Sequence, residues 1–297
     1  MTVLELIELA SARLDQAGVS FGHGTAQAFD EAAWLVLWSL EIPLDALDKV
    51  AQRPVTPEEE ARAWSLVAQR VDTRLPTAYL TGEAWLQGVP FYVDRRVIIP
   101  RSLIAEVIAD GTVDPWLSPQ TQRVLDLCTG NGSLAVLAAL AWPDVQVVAS
   151  DLSADALEVA QRNVDRHDLS TRITLAQGDG LAACPGPHDL ILCNPPYVNR
   201  TSMAALPAEY RCEPAMALDG GDDGMDFIRV LLSQAHASLT PGGVLVLEIG
   251  HERRHFEAAF PHIEPVWLPT SAGDDQVLLL TREVLTREVL TREDLAS

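Results

Sequence analysis

The chain has 297 residues, 48% of them apolar and 21% charged, and a formal net charge of −21. That length and composition describe a globular protein of two domains, or a large domain with a small companion. So acidic a surface repels phosphate backbones, which disfavours a nucleic-acid substrate and favours a basic protein partner; salt adaptation or plain solubility explains the charge equally well. No apolar run approaches the roughly 18–20 residues that span a bilayer, so no membrane partner is expected. The first residues, Met1-Thr2-Val3-Leu4-Glu5, carry an acid where a secretory signal carries basic residues. Cys128, Cys184, Cys193 and Cys212 have neither paired spacing nor neighbouring histidines in ligand register. They read as reduced thiols of a cytoplasmic protein rather than as disulfides or a metal site.

Residues 1–75 read as a helical domain. The first helix runs to Gly18, the second from Ala28 to Leu40, and the third opens at Thr56-Pro57-Glu58-Glu59. There Thr is the N-cap, Pro the first helical residue and Glu the partner three positions after the cap. Trp34, Trp38 and Trp64 predict a tryptophan-rich core. Residues 76–111 read as a connector: a β-hairpin through Tyr79–Trp85 and Phe91–Val93, then a helix over 103–109 ending at Gly111.

Residues 112–283 read as the domain that carries the chemistry. Strands are predicted at 123–128, 145–150, 172–176, 188–193, 243–249, 264–268 and 276–280, with helices at 132–141, 153–166, 224–238 and 251–259. That alternation predicts a doubly wound α/β domain, a Rossmann-like sheet of seven mostly parallel strands. The connection before the last strand is too short for a crossover helix, so the last strand should be antiparallel. Leu-Thr-Arg-Glu occurs three times, beginning at Leu280, Leu285 and Leu290. A period of five keeps no face buried on a helix or strand, so residues 284–297 read as a repetitive tail in solvent.

Two strand ends carry the site. Ligands of open parallel sheets sit beyond the carboxyl ends of strands, so the loops after 123–128 and 188–193 are expected side by side over one crevice. The first loop, Cys128-Thr129-Gly130-Asn131-Gly132, lets backbone approach a ligand and offers the free N–H groups of a helix start. Asp151 ends the next strand, where an acid accepts both ribose hydroxyls, and Asp179, beside Gly180, ends the third, where an acid meets an adenine amine. The loop is not a dinucleotide fingerprint, and no phosphate-loop lysine follows. Asp126 within it repels pyrophosphate and suits a cation. S-adenosyl-L-methionine is such a nucleoside: it has a sulfonium, an ammonium and no phosphate. The bland alternative is a glycine turn in an unrelated α/β protein.

The second loop is Asn194-Pro195-Pro196-Tyr197. Its prolines fix an extended backbone that presents the Asn194 side-chain amide and the Pro195 carbonyl. These two acceptors match the two hydrogens of a planar –NH₂ group, and Tyr197 stacks on its face. Accepting both N–H bonds returns electron density to a delocalised nitrogen and aims it at an electrophilic methyl. A rigid turn without chemistry is the alternative.

Asp126-Leu127-Cys128-Thr129-Gly130-Asn131-Gly132, Asp151 and Asn194-Pro195-Pro196-Tyr197 resemble class I S-adenosylmethionine-dependent methyltransferases acting on planar –NH₂ groups. Adenine methyltransferases and protein glutamine methyltransferases share the second motif. The helical front and Phe91–Arg101 resemble the glutamine branch over essentially the whole chain. Release-factor methyltransferases usually place Pro after Pro-Arg, whereas Pro100-Arg101 precedes Ser102 here. With Leu80–Trp85 and Leu206–Arg211, this is similar to the branch that modifies large-subunit ribosomal protein three. The resemblance implies that Asn194 and Pro195, with Pro196 and Tyr197, bind the glutamine amide. It implies that Asp126, residues 128–132, Asp151, Leu152, Asp179, Gly180, Asn194 and Arg101 serve the cofactor. The chain departs from the family where Cys128 replaces a common Gly, Asn131 a small or hydroxyl residue, and Gly180 an aromatic. A release factor is the alternative substrate, and nucleic-acid adenine is opposed by the charge.

Three other features are expectations of lower rank. Val198–Gly221, with Glu209, Arg211 and Glu213, is either a substrate lid or a structural loop. Glu248 ends a strand and either faces the crevice or caps the next turn. His251 and His255 lack a third ligand, so no metal is expected.

Overall fold

A computed structural model describes residues 1–286. The front of the chain is helical: α1 (Val3–Ala17), α2 (Ala28–Ser39), α3 (Leu47–Val50), α4 (Pro57–Thr73) and α5 (Thr77–Thr81). Both α1 and α4 begin with reciprocal capping boxes, Thr2 with Glu5 and Thr56 with Glu59. Each box satisfies two N–H groups that the helix geometry orphans. Leu6, Ile7, Ala10, Leu35, Val36 and Val67 form the core between these helices.

The fully buried residues of that core are aliphatic, and of the three expected tryptophans only Trp64 packs against them, partly buried, which corrects the expected tryptophan-rich core. Trp38 is 43% exposed. Trp34 packs instead with Ala78, Ala84, Val93, Val97 and Ile99, so it joins α2 to the connector. The connector also differs from expectation, because Tyr79–Thr81 is helical and stops at Gly82. The hairpin is only β1 (Glu83–Leu86) and β2 (Val89–Tyr92). Gln87 and Gly88 both have positive φ at its tip, as a two-residue primed turn requires. Asn163 grips the hairpin by accepting the Tyr92 N–H at 2.7 Å and donating to its carbonyl at 3.0 Å.

Next come α6 (Ile104–Ala109), β3 (Arg123–Leu127), α7 (Ser133–Ala141), β4 (Gln146–Asp151), α8 (Ala154–Arg166), β5 (Ile173–Gln177) and β6 (His188–Cys193). The chain continues through α9 (Arg200–Ala205), α10 (Asp226–Ser238), β7 (Leu239–Glu248), α11 (Arg253–Ala259), β8 (Val266–Thr270) and β9 (Gly273–Thr281). The seven strands lie in the order β5-β4-β3-β6-β7-β9-β8. β5 to β7 are parallel, and β9 runs antiparallel between β7 and β8. The seven-stranded Rossmann-like sheet with its antiparallel end is therefore as the sequence predicts.

Apolar strands bury both faces, as parallel sheets must. One face packs Val107, Leu134, Val147, Leu190 and Val246; the other packs Leu125, Ile191, Ile228, Leu245 and Phe256. Leu280 and Leu285 are fully buried in the second. The start of the repeat is thus core, and only residues 287–297 of the expected tail lie outside the described residues. Burying one leucine contributes about 1.5–3 kcal/mol, enough to hold the turn after β9 against the sheet.

The chain order reverses between β3 and β6, whose register pairs Leu127 with Cys193. The loops after these strands are therefore neighbours at the carboxyl edge, where such sheets bind ligands.

Candidate active site

Two cavities meet at this edge. The first is lined by Cys128 and Gly130 after β3, Asp151 and Leu152 after β4, Asp179 and Gly180 after β5, and Asn194 and Pro196 after β6. Val97 and Ile98 from the connector, Met216 and Ala217 from the segment before α10, and Phe227 complete the wall. Sequence reasoning missed these contributors, which carry no local periodicity or motif. Phe227 adds an aromatic side chain to a cavity in which Gly180 has none.

Asp151 ties the cavity together. Its Oδ2 accepts the Gly130 N–H and its Oδ1 the Ser153 N–H, both at 2.9 Å. Each oxygen keeps a lone pair for a ligand hydroxyl. Burial pushes the Asp151 carboxyl above its ordinary range, and the backbone donors oppose this.

Asp126, Thr129, Asn131 and Gly132 do not line the cavity. Asp126 is 0% exposed, and its Oδ2 accepts the Thr129 hydroxyl and, at 2.9 Å, the Ala135 N–H. Asn131 accepts the Ser133 N–H through Oδ1, and its carbonyl accepts from Asn163 at 2.8 Å. Gly132 has φ +81°, and a Cβ there would meet Ala160 Cβ at 3.2 Å. These residues shape the loop from behind. Cys128 itself has φ +60°, the left-handed region in which glycine is easier.

The second cavity is lined by Arg101, Asn194, Pro195, Tyr197, Tyr210 and His251, among others. Asn194 borders both cavities, and Arg101 only this one. Arg101 forms a two-pronged ion pair with Glu213, with Nη1 to Oε1 at 2.7 Å and Nη2 to Oε2 at 2.8 Å. Glu248 lines neither cavity; its Oε1 accepts the Tyr197 hydroxyl at 3.2 Å. Burial pushes the Tyr197 phenol well above its ordinary range. His251 borders the second cavity whereas His255 bonds Glu252, so the two do not converge.

The segment 198–221 supplies walls to both cavities and is fastened down. Glu209 accepts from Ser20 N–H at 3.0 Å and from Arg70 at 3.2 Å, and Arg70 is itself 1% exposed and paired with Glu31.

Among the described residues, no helix is long and apolar enough to cross a membrane. Residues 112–209 match the methyltransferase small domain. The fold is like that of the hMettl16 catalytic domain solved with a 3′UTR hairpin, at TM-score 0.51 and 14% identity, covering 76% of this chain and 81% of that one. The ribosomal protein uL3 glutamine methyltransferase of Bordetella pertussis is 56% identical over 96% of both chains. Its namesakes in Burkholderia pseudomallei and Neisseria meningitidis serogroup B are 50% and 45% identical, over 94% and 96% of this chain and 94% of each relative. At that identity over nearly its whole length, the chain belongs to the family of ribosomal protein uL3 glutamine methyltransferases.

Proposed function

We propose that the protein transfers the methyl group of S-adenosyl-L-methionine to the side-chain amide nitrogen of a glutamine in ribosomal protein uL3. The observation that carries this reading is Asn194 on the boundary of two cavities, one suited to a nucleoside and one open to an incoming side chain.

The first cavity suits this cofactor chemically. It presents the acids Asp151 and Asp179, and its one cationic side chain, Arg96, is already bound to Asp94 and Glu158. A phosphate finds no free base there, whereas a nucleoside with a positive group finds carboxylates. In this reading Asp151 accepts the ribose hydroxyls and Asp179 the adenine amine. Cys128, Gly130, Leu152 and Gly180 give backbone and apolar contact. Asp126, Thr129, Asn131 and Gly132 act indirectly by holding the loop, and Arg101 belongs to the substrate side. When bound, the cofactor supplies an electrophilic sulfonium methyl.

Asn194 and Pro195 then accept the two amide N–H bonds, fix the plane of the amide and raise electron density on its nitrogen. Pro196 keeps the loop extended, and Tyr197 packs on the amide face. The nitrogen gains the methyl as the methyl–sulfur bond breaks, its electron pair staying on a neutral thioether that leaves, and one amide hydrogen departs to solvent as a proton. Tyr197 takes no part in that proton transfer, because its phenol is held by Glu248. A protein that binds ribosomal RNA is basic, which complements the net charge of −21. A ribosomal protein substrate assigns the activity to the cytoplasm.

The test is transfer of labelled methyl to recombinant uL3, read by peptide mass spectrometry. One methyl on a glutamine is expected. Asn194→Ala should lose about a hundredfold or more in kcat at saturating cofactor, beyond any change in cofactor Kd, since Asn194 also borders that cavity. Label on a release factor with none on uL3 refutes the substrate, and full activity in Asn194→Ala refutes the mechanism.

A further inference from the structure

Glu248 is the point at which three parts of the chain meet. It ends β7, is 3% exposed and receives three donors. Besides the Tyr197 hydroxyl on Oε1, its Oε2 accepts the Ser102 hydroxyl at 2.6 Å and the Leu103 N–H at 2.9 Å. A buried carboxylate is tolerated only when partnered in this way, so its side chain has one orientation. Ser102 and Leu103 come from the connector, and Tyr197 from the loop after β6.

The Tyr197 ring is confined on another side by Gly250. A Cβ at that position would lie 2.5 Å from Tyr197 Cε2, and Gly250 has φ +52°. The ring therefore rests directly on backbone while its hydroxyl is pinned by Glu248. A phenol has one hydrogen to donate. Committed to Glu248, it is withdrawn from the acceptors that Asn194 and Pro195 present to the cavity.

We propose that Glu248 is a positioning residue for methyl transfer: it holds Tyr197 as a fixed wall of the substrate cavity, and Ser102 holds Glu248. The inference rests on the function proposed above and extends it to residues outside both cavities. Without the carboxylate, the hydroxyl is released and competes for the acceptors that hold the substrate amide.

The experiment is a double-mutant cycle of Glu248→Gln and Tyr197→Phe in the full chain, with labelled cofactor and uL3. Each single variant should lower kcat about ten- to a hundredfold, the scale of losing a held geometry. The double variant should fall no more than about twofold below Tyr197→Phe, because both changes break one interaction. Cofactor Kd, measured by calorimetry, should stay within about twofold of wild type, since Glu248 does not border that cavity. Wild-type kcat in Glu248→Gln, effects that multiply fully, or cofactor binding lost in step with kcat would each overturn the proposal.

A second measurement does not depend on turnover. The chain has four tyrosines, so the hydroxyl proton signal of Tyr197 is assignable as the one missing in Tyr197→Phe. That proton should exchange slowly with water in wild type and faster in Glu248→Gln; no change sinks the idea. If wild type binds cofactor and leaves uL3 unmodified, the substrate reading fails while the hydroxyl measurement still decides the role of Glu248.

Discussion

Glu213 lies 112 residues beyond Arg101 and yet takes its guanidinium in a fork, each carboxylate oxygen accepting one N–H. The same carboxylate accepts the Ile99 N–H at 2.9 Å and stands 3.7 Å from His23. Glu209 does for α4 what Glu213 does for the connector, through Arg70. Two buried acids thus fasten the 198–221 segment to the helical front, and that segment carries Met216, Ala217 and Tyr210 into the cavity walls. Geometry at the site depends on the front of the chain.

A pH dependence follows from Glu213. Burial pushes its carboxyl up, but the neighbouring His23 and Arg101 more than offset this and hold it down at about 2, from an ordinary 4.5. A folded-state value below the unfolded one gives stability that is present above about pH 4.5 and lost as pH falls toward about 2. The shift corresponds to about 3 kcal/mol. Glu213→Gln should lose at least that much near neutrality and show a flatter acid limb. Urea unfolding at about pH 7 and about pH 3 checks this; an equal loss at both would contradict it.

Asp126 carries the opposite sign. Burial, its largest influence, lifts the carboxyl to about 7 from 3.8, and the Thr129 and Ala135 donors only partly oppose. A raised folded-state value means that the fold loses stability as pH climbs from about 4 to about 7. Asp126→Asn removes this titration and should gain on wild type by about 4 kcal/mol across that window. Denaturation at both ends of the window measures the difference, and a constant gap would refute the assignment.

Asp151→Asn tests the cofactor cavity. The substitution leaves one acceptor oxygen where two now hold the Gly130 and Ser153 N–H groups. Losing a hydrogen bond to a charged group costs about 1.5–3 kcal/mol, so the Kd for S-adenosyl-L-methionine should rise roughly ten- to a hundredfold. Calorimetry reads this directly. An unchanged Kd would remove Asp151 from the cofactor site.

Some of this was legible in the chain and some was not, for definable reasons. Val124–Leu127 and Leu190–Cys193 are apolar runs that stop at polar loops, so their burial and adjacency follow from pattern and sheet rules alone. Thr56 and Glu59 announce a helix start because a cap is a local device. Arg101 resists such reading: its partner lies on another loop, and nothing local distinguishes it from an arginine that meets a ligand. Leu285 misleads for a related reason, since a chain leaving a strand needs to bury only one residue, whatever its period. Trp38 shows that helical spacing identifies a face without saying whether another element covers it.

The cofactor loop supplies the last prediction, because two of its three left-handed positions (Cys128, Gly130 and Gly132) answer differently to substitution. Cys128 holds φ +60° with a side chain, a strain of about 1–3 kcal/mol at a non-glycine residue. Cys128→Gly relieves that strain but loosens the unfolded chain and gives up contact with the apolar core, so stability should stay within about 1 kcal/mol of wild type. Gly132 has no such latitude. Its φ is +81°, and a Cβ would press on Ala160 Cβ at 3.2 Å and on its Cα at 3.3 Å, backbone that belongs to α8. Gly132→Ala should therefore cost about 1–3 kcal/mol and push the loop off α8, with a weaker hold on S-adenosyl-L-methionine. Melting curves and cofactor titrations of the two variants side by side decide the matter: equal behaviour would mean that the loop is set by something other than its backbone conformation.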